Sequence, residues 1–215
     1  MISVIFDMDG TLLDTQSVFV HVWDRAGQEQ GFENMGRCIP DVCGTNDEGW
    51  RAYLKTNFPT LDVDRFRADA QRYTDEMMVV RYKDGAKELL DFLKSKGVKL
   101  ALASGSSHKS ISHHLNEVGA THYFDVVVGG MDVKNGKPAP DIFLLAAEKL
   151  GEAPENCIVV EDSANGIKGA VSAGMRCIGI PDVVAFPREI KNILFAEFCS
   201  LKEALPTFVD LFKEK

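Results

Sequence analysis

Short apolar runs alternate with helix-like segments along most of the chain. The runs are rich in apolar and β-branched residues without alternating polar positions, which is typical of parallel strands covered on both faces. They are Ser3–Phe6, Val98–Ala103, Phe124–Val128, Cys157–Val160 and Arg176–Ile180. Helical spacing of apolar positions marks Ala86–Lys96, Ser107–Val118, Pro140–Leu150 and Ala164–Ala173. This alternation predicts an α/β fold with a doubly wound parallel sheet.

One long stretch has no strand-like run and carries only helical patterns. Its two apolar faces are formed by Val18, Val22, Trp23 and Ala26, and by Phe66, Ala70, Tyr73 and Met77. Gly44-Thr45-Asn46-Asp47 predicts a turn between them. We therefore predict that residues 15–82 form a small all-helical domain inserted after the first strand. Residues 1–14 and 83–215 are predicted to form the α/β core domain.

Composition and charge restrict the partners. The formal net charge of −8 gives a surface that repels nucleic acids and anionic membranes, so neither is expected as a partner. No apolar run approaches membrane-spanning length, and Asp7 follows the first residues too early for a secretory signal. Five widely spaced cysteines suit buried free thiols in a reducing compartment. We expect a cytoplasmic protein, and a monomer.

Polar side chains capable of chemistry follow three of the predicted strands, and a fourth group lies in a loop just before a predicted helix. Asp7-Met8-Asp9-Gly10-Thr11 comes directly after the first strand, where taken alone it could be a simple turn or helix cap. Two further strands are followed by Ser104-Gly105-Ser106-Ser107 and by Glu161-Asp162-Ser163. The loop before a predicted helix contains Gly136-Lys137-Pro138-Ala139-Pro140. Because ligands of open α/β sheets bind at the carboxyl ends of the strands, we expect these groups to share one site.

This set of groups suits phosphoryl transfer. A carboxylate can attack phosphorus and form an aspartyl-phosphate that water later hydrolyses. Repulsion between the carboxylate and the phosphate requires cations, and Mg²⁺ prefers oxygen ligands such as these. Lys137 would add a second positive charge, Ser104 a hydrogen bond, and Asp9 a proton relay.

The motifs resemble, in order and spacing, the four motifs of the haloacid dehalogenase superfamily. They are Phe6-Asp7-Met8-Asp9-Gly10-Thr11-Leu12, Ser104, Gly136-Lys137-Pro138 and Glu161-Asp162-Ser163. The helical insertion after the first motif resembles the small cap of subclass I. The segments from Lys137 to Phe143 and from Glu161 to Ile167 resemble the branch that contains β-phosphoglucomutase and its sugar-phosphate phosphatase relatives.

The resemblance implies a role for each matching residue. Asp7 would be the nucleophile and Asp9 the general acid and then the general base. Mg²⁺ would be coordinated by Asp162, an Asp7 oxygen and the Asp9 backbone carbonyl, with Glu161 acting on it indirectly or through water. Ser104 and Lys137 would hold the transferring phosphoryl group, supported by Gly105, Ser106, Gly10 and Thr11.

Three functions remain open on the sequence, and a phosphatase of a small phosphorylated metabolite is favoured. Asp9 argues for phosphate-ester chemistry, because a departing halide needs no proton. A phosphomutase is disfavoured, since the related mutase has a histidine where this chain has Phe19 (His21 lies two positions on) and an arginine where it has Asp47. A non-catalytic binding protein is disfavoured because the motif residues are intact. The branch resemblance implies a sugar phosphate as substrate.

The inserted helices are expected to shape the leaving-group pocket. The candidate specificity residues are Gln16, Phe19, Val20, Gly44, Thr45, Asn46 and Asp47. We expect His108, His113 and His114 to lie on the solvated surface, because adjacent histidines of a helix point to different sides and do not pair as ligands.

Overall fold

The computed structural model describes residues 2–43 and 45–213. Within them, six parallel strands form one sheet in the order β3-β2-β1-β4-β5-β6. The strands are β1 Ser3–Phe6, β2 Leu100–Ala103, β3 Val126–Val128, β4 Cys157–Glu161, β5 Arg176–Gly179 and β6 Ala196–Glu197. The strand order reverses between β1 and β4, which is where open α/β sheets form their ligand-binding crevice.

Among the described residues, four α-helices follow β1 and pack on one another. They are α1 Gln16–Gln28, α2 Ile39–Val42, α3 Asp47–Asn57 and α4 Val63–Met77. Both apolar faces predicted from the sequence contribute to their shared hydrophobic cluster, in which Val22, Trp23, Ala26, Phe66 and Tyr73 are buried. Side chains cap two of these helices, because Asn46 accepts from the Gly49 N–H and Asp62 accepts from the N–H groups of its helix's first turn. We refer to residues 15–82 as the helical insert.

The two segments that join the helical insert to the sheet run side by side. Leu13 and Tyr82 form an antiparallel bridge. The Asp14 N–H donates to the Arg81 carbonyl at 2.9 Å, and the Lys83 N–H donates to the Leu12 carbonyl at 2.9 Å. The insert therefore leaves and re-enters the sheet region at one point. The domain boundaries at residues 15 and 82 stay a prediction.

In the part of the chain that the structure describes, six further α-helices surround the sheet. They are α5 Ala86–Ser95, α6 His108–Glu117, α7 Asp141–Leu150, α8 Ala164–Ser172, α9 Arg188–Lys191 and α10 Leu201–Leu211. Alternate strand residues enter two separate cores, with Val4 and Phe6 on one face of the sheet and Ile5 on the other. Because helices cover both faces of the sheet, neither face needs polar residues. This explains why apolar and polar positions do not alternate along the strands. This confirms the predicted fold class.

Some elements differ from the sequence prediction. The β3 strand begins two residues later than predicted, while β6, α9 and α10 were not predicted. All five cysteines are free, but Cys199 is exposed and Cys43 is half-buried, so the expectation of buried thiols was wrong for these two residues. None of the helices among residues 2–43 and 45–213 is long and apolar enough to span a membrane.

Candidate active site

Two acidic pairs face each other across the point where the strand order reverses. Asp7 and Asp9 follow β1, and Glu161 and Asp162 lie at the end of β4, the neighbouring strand. The Asp7 N–H donates to the Val160 carbonyl at 3.0 Å, which fixes the nucleophile candidate relative to β4. The backbone pairing of two adjacent strands thus brings together acids that are more than 150 residues apart in sequence.

Lys137 lies between the two acidic pairs. Its Nζ is 2.6 Å from Asp7 Oδ1 and 2.6 Å from Glu161 Oε1, and all three side chains are buried. The other oxygen of Glu161 accepts from the N–H of Ser163 at 2.7 Å and from its hydroxyl at 2.9 Å. Glu161 therefore anchors Lys137, and Lys137 in turn holds the Asp7 carboxylate.

Asp162 is held by two polar side chains from the first motif and the helix that follows it. The Thr11 hydroxyl donates to Asp162 Oδ1 at 2.8 Å, and Gln16 Nε2 donates to Asp162 Oδ2 at 2.6 Å. Gln16 Nε2 also donates to the Asp9 carbonyl at 2.8 Å. The turn at Gly10 has φ of 87° and brings these groups together, a backbone conformation that favours glycine.

Hydroxyl groups orient the Asp9 carboxylate. Asp9 Oδ1 accepts from the Thr15 hydroxyl at 2.8 Å, and Asp9 Oδ2 accepts from Ser106 at 2.8 Å and from Ser104 at 3.4 Å. The Ser104 hydroxyl also accepts from the Ser106 N–H at 3.1 Å. Asp9 thus contacts Ser104 and Ser106 in the loop that follows β2, whereas Asp7 contacts Lys137.

Burial changes the acidity of this group of residues. Desolvation raises the pKa of Asp7 to about 8, although the Lys137 ammonium opposes this rise. Burial, together with the nearby Glu161 and Asp7 carboxylates, raises the pKa of Asp162 well above its ordinary value. Burial would lower the pKa of Lys137, but Asp7 and Glu161 outweigh it and raise that pKa. The three buried acids Asp7, Glu161 and Asp162 share one ammonium group, that of Lys137. When all of them are ionised, the site therefore carries more negative than positive charge.

The oxygen atoms around Asp162 suit a hard divalent cation. Asp7 and Asp162 supply carboxylates, and the Asp9 carbonyl lies close enough to Asp162 for one amide group to contact both. Within the described residues, no three His, Cys, Asp or Glu side chains converge as a complete set of metal ligands. Mg²⁺ usually takes one or two carboxylates and keeps several waters, and Asp7 and Asp162 could supply those carboxylates.

A cavity of about 380 Å³ extends from Asp7 and Asp9 into the helical insert. Near the acids it is lined by Ser104, Gly105 and Ser106, and towards the insert its wall includes Trp23 and Trp50. Its volume lies within the range of small-molecule pockets. The cavity therefore offers room for a leaving group beside the acids.

The candidate specificity residues divide into two groups. Gln16, Phe19, Thr45 and Asp47 line the cavity. Val20 is outside its lining and packs by Gly36, while Asn46 caps α3 and lies close to Gly136. Gly44 lies outside the described residues.

Several contacts of the site do not follow from the sequence predictions. Thr15 was not selected, although a hydroxyl side chain three residues after the end of the first motif was a usable signal. His114 was expected on the surface, which was wrong: it is buried, with Nδ1 3.9 Å from Asp9 Oδ1. Helix α6 turns this one histidine inward, whereas the side chains of His108 and His113 are exposed as expected.

Comparisons with known proteins show the family of the chain. A family profile for haloacid dehalogenase-like hydrolases matches residues 3–174. The chain is 35% identical to the phosphorylated carbohydrates phosphatase of Thermotoga maritima over 185 residues, covering 83% of this chain and 84% of the relative. It is 32% identical to the fructose-1-phosphate phosphatase of Escherichia coli over 182 residues, covering 82% and 95%.

A solved structure extends the likeness to nearly the whole chain. The β-phosphoglucomutase of Clostridium difficile superposes with a TM-score of 0.81 at 26% identity, covering 99% of this chain and 97% of that one. The family profile spans strands β1 to β4 and includes Asp7, Ser104, Lys137 and Asp162. The chain belongs to the haloacid dehalogenase-like hydrolases.

Proposed function

We propose that this hydrolase is a Mg²⁺-dependent phosphatase that removes phosphate from a small phosphorylated metabolite through an aspartyl-phosphate at Asp7. One observation carries the proposal. Asp7 lines one end of the cavity, Asp7 and Asp162 are buried at the ends of adjacent strands, and the Lys137 ammonium lies 2.6 Å from Asp7. A nucleophilic carboxylate needs this neutralising surrounding to approach a phosphate dianion.

The chemistry divides between two carboxylates. The Asp7 carboxylate attacks phosphorus, the bond from phosphorus to the leaving oxygen breaks, and Asp9 gives that oxygen its proton. Water then attacks the phosphorus of the aspartyl-phosphate while Asp9 takes a proton from it, which releases phosphate and restores Asp7. The hydroxyl contacts from Thr15 and Ser106 hold Asp9 in place for both proton transfers.

Lys137 and Glu161 act on the Asp7 carboxylate from outside the cavity. Lys137 is not part of the cavity lining, and it reaches the site through its contact with Asp7 Oδ1. It lowers the cost of ionising a carboxyl group whose pKa burial has raised. Asp7, Asp162 and the Asp9 carbonyl would hold Mg²⁺, which supplies positive charge to both the nucleophile and the phosphoryl oxygens.

The substrate class we propose is a sugar phosphate. Two relatives, the phosphorylated carbohydrates phosphatase and the fructose-1-phosphate phosphatase, are named for phosphorylated sugars. The cavity combines serine and threonine hydroxyls with aromatic side chains, which suits a leaving group with both hydroxyls and an apolar face. We further propose a cytoplasmic monomer without nucleic-acid or membrane partners, consistent with the net charge of −8.

A phosphomutase is the second candidate because a β-phosphoglucomutase superposes on the whole chain. Such an enzyme has to retain a second phosphate by cationic groups. Of the described residues lining the cavity, Arg67 is the one basic side chain, and its Nε lies 3.0 Å from Asp47 Oδ1. Because Asp47 neutralises Arg67, we favour hydrolysis.

A phosphate-release assay separates these functions. The protein is incubated with Mg²⁺ and a panel of sugar phosphates, phosphoglycolate, nucleotides and an aryl phosphate, with EDTA as the control. We expect phosphate equal to the substrate consumed, with no isomer formed, and no release in EDTA. Isomerisation of a hexose 1-phosphate that depends on a bisphosphate would establish the mutase. Folded, Mg²⁺-supplied protein that hydrolyses none of these esters would refute the proposal.

A further inference from the structure

The side chain of Gln16 joins the acids of the sheet to the helical insert. It is buried, with 3% of its surface exposed, in the first turn of α1. Its Nε2 donates to Asp162 Oδ2 at 2.6 Å and to the Asp9 carbonyl at 2.8 Å. Its Oε1 accepts from Cys43 Sγ at 2.7 Å. Both ends of the amide are therefore engaged.

These contacts fix which end of the amide faces the acids. If the group were turned over, Oε1 would lie against two oxygen acceptors, and Nε2 would lie against the thiol. A neutral amide nitrogen carries partial positive charge on its hydrogens, so it compensates part of the negative charge of Asp162. It cannot ligate a cation in this orientation, because its nitrogen has no available lone pair.

The amide also fills the space that it occupies. A Cβ added at Gly10 would collide with Gln16 Nε2 and would lie 2.6 Å from Asp162 Oδ2. Gln16 is thus packed against the turn of the first motif as well as against Asp162. A cation held by Asp162 Oδ2 and the Asp9 carbonyl oxygen would need the space that Gln16 Nε2 occupies.

We propose that the Gln16 carboxamide competes with Mg²⁺ for Asp162 and the Asp9 carbonyl, and so lowers the metal affinity of the site. This inference rests on the proposed Mg²⁺ site, since those two oxygens belong to its ligand set. Metal binding displaces Nε2 from both oxygens. Because Oε1 is tied to Cys43, displacement also disturbs a contact between α1 and the residue that follows α2.

Cys43 connects this competition to α8 as well as to the helical insert. Its backbone carbonyl accepts from Asn165 Nδ2 at 3.2 Å, at the start of α8 in the core. Both Gln16 and Asn165 therefore contact Cys43 next to the cavity. Gln16 acts here as a positioning residue for the unloaded site, because it takes part in no bond that forms or breaks.

The test is calorimetric titration of Mg²⁺ into the metal-free protein, without substrate. Gln16→Met keeps a similar side-chain volume and removes the donor. We expect it to bind Mg²⁺ about 3- to 10-fold more tightly than the wild type, because one charge-assisted hydrogen bond no longer competes. Gln28→Met, on the exposed side of the same helix, is the matched control and leaves the affinity unchanged.

Equal or weaker Mg²⁺ affinity in Gln16→Met overturns the inference, and weaker affinity shows that the amide helps to bind the metal. The rise in melting temperature on Mg²⁺ addition provides a second measurement, and it should be larger in Gln16→Met than in the wild type. If Gln16→Met does not fold by circular dichroism, Gln16→Ala removes the same donor. A wild type that hydrolyses phosphate esters only with Mg²⁺ upholds the proposed function whatever the variant does.

Discussion

Among single residues, Lys137 has the most constrained environment. Its ammonium group is buried between two carboxylates, and the Phe143 ring lies 5.0 Å from Nζ. Removing one member of such a set leaves buried charge without compensation, which costs far more than the loss of an exposed ion pair. Lys137 should therefore matter for folding as well as for chemistry.

Replacing Lys137 by Met should lower the free energy of unfolding of the metal-free protein by about 3–5 kcal/mol at neutral pH, because Asp7 and Glu161 lose their shared cation. The rate of phosphate release should fall by about 10²-fold or more. Urea unfolding and an aryl-phosphate assay measure the two effects. Lys134→Met changes an exposed lysine near the same loop and should do neither. Equal effects of the two substitutions would contradict the assigned role.

Asp7→Asn tests the nucleophile directly. The substitution keeps the shape of a buried side chain but removes the attacking carboxylate, so phosphate release should fall by about 10³-fold or more. The steady-state rate with an aryl phosphate is the measurement. Asp14→Asn is the control, since an amide oxygen there can still accept from Ser17. Retained turnover in Asp7→Asn would show that another group attacks phosphorus.

At the scale of secondary-structure elements, the strand ends position the site and neighbouring helices fix the side chains. Helix α8 begins at Ala164, directly after Ser163, and its Gly166 packs against the carboxylate of Glu161. The Ser163 hydroxyl both donates to Glu161 and accepts from the Gly166 N–H at 3.0 Å. The start of this helix therefore determines where Glu161, and with it Lys137, can lie.

Gly166→Ala should reduce phosphate release by about 10- to 100-fold, because the new methyl group displaces Glu161 and shifts Lys137 away from Asp7. Comparing kcat and KM with circular dichroism separates this effect from unfolding. Ser172→Ala, at the exposed end of the same helix, should leave the rate unchanged. A fully active Gly166→Ala protein would mean that Glu161 does not position Lys137.

The elements that sequence predicted best are those buried on both sides. Strands such as β1 and β4 have flat apolar runs because two cores cover them, and this signal is readable from the chain. The two residues of β6 are too few to form a pattern, and Pro206 interrupts the helical signal of α10.

The site was predictable where a motif fixes the backbone and unpredictable where packing fixes the side chain. Asp7 and Asp162 follow strands that can be recognised from the sequence. The inward direction of His114 depends on how α6 packs on the sheet, and the contact of Gln16 with Asp162 depends on where the first turn of α1 lies relative to the strand ends. Helical periodicity alone does not give that rotation.

At the scale of the whole molecule, an acidic protein concentrates buried acids at one site. Burial raises the pKa of Asp7 from 3.8 to about 8, and it raises the pKa of Asp162 as well. Between those values the folded protein holds protons that the unfolded chain has released. Its stability is therefore complete at low pH and is lost as the pH rises towards the folded-state pKa.

The melting temperature of the metal-free protein should thus fall as the pH rises from about 5 to about 8. Mg²⁺ should reduce the fall, since a bound cation favours the ionised acids. Melting curves in EDTA and in Mg²⁺ measure both slopes. General repulsion from the net charge of −8 acts in the same direction, so Asp7→Asn is the comparison and should show a shallower slope in EDTA. An unchanged slope in that variant would exclude Asp7 as the source.

The proposed mechanism requires that Asp7 receives the phosphoryl group and that Asp7 and Asp162 both hold the divalent cation. A crystal structure of the protein with Mg²⁺ and beryllium fluoride tests this most directly, because the fluoride complex imitates the phosphoryl group on an aspartate. We predict beryllium bonded to a carboxylate oxygen of Asp7, with Mg²⁺ held by Asp7, Asp162 and the Asp9 carbonyl. Beryllium fluoride bound to another residue, or a metal that Asp162 does not touch, would contradict the proposed mechanism.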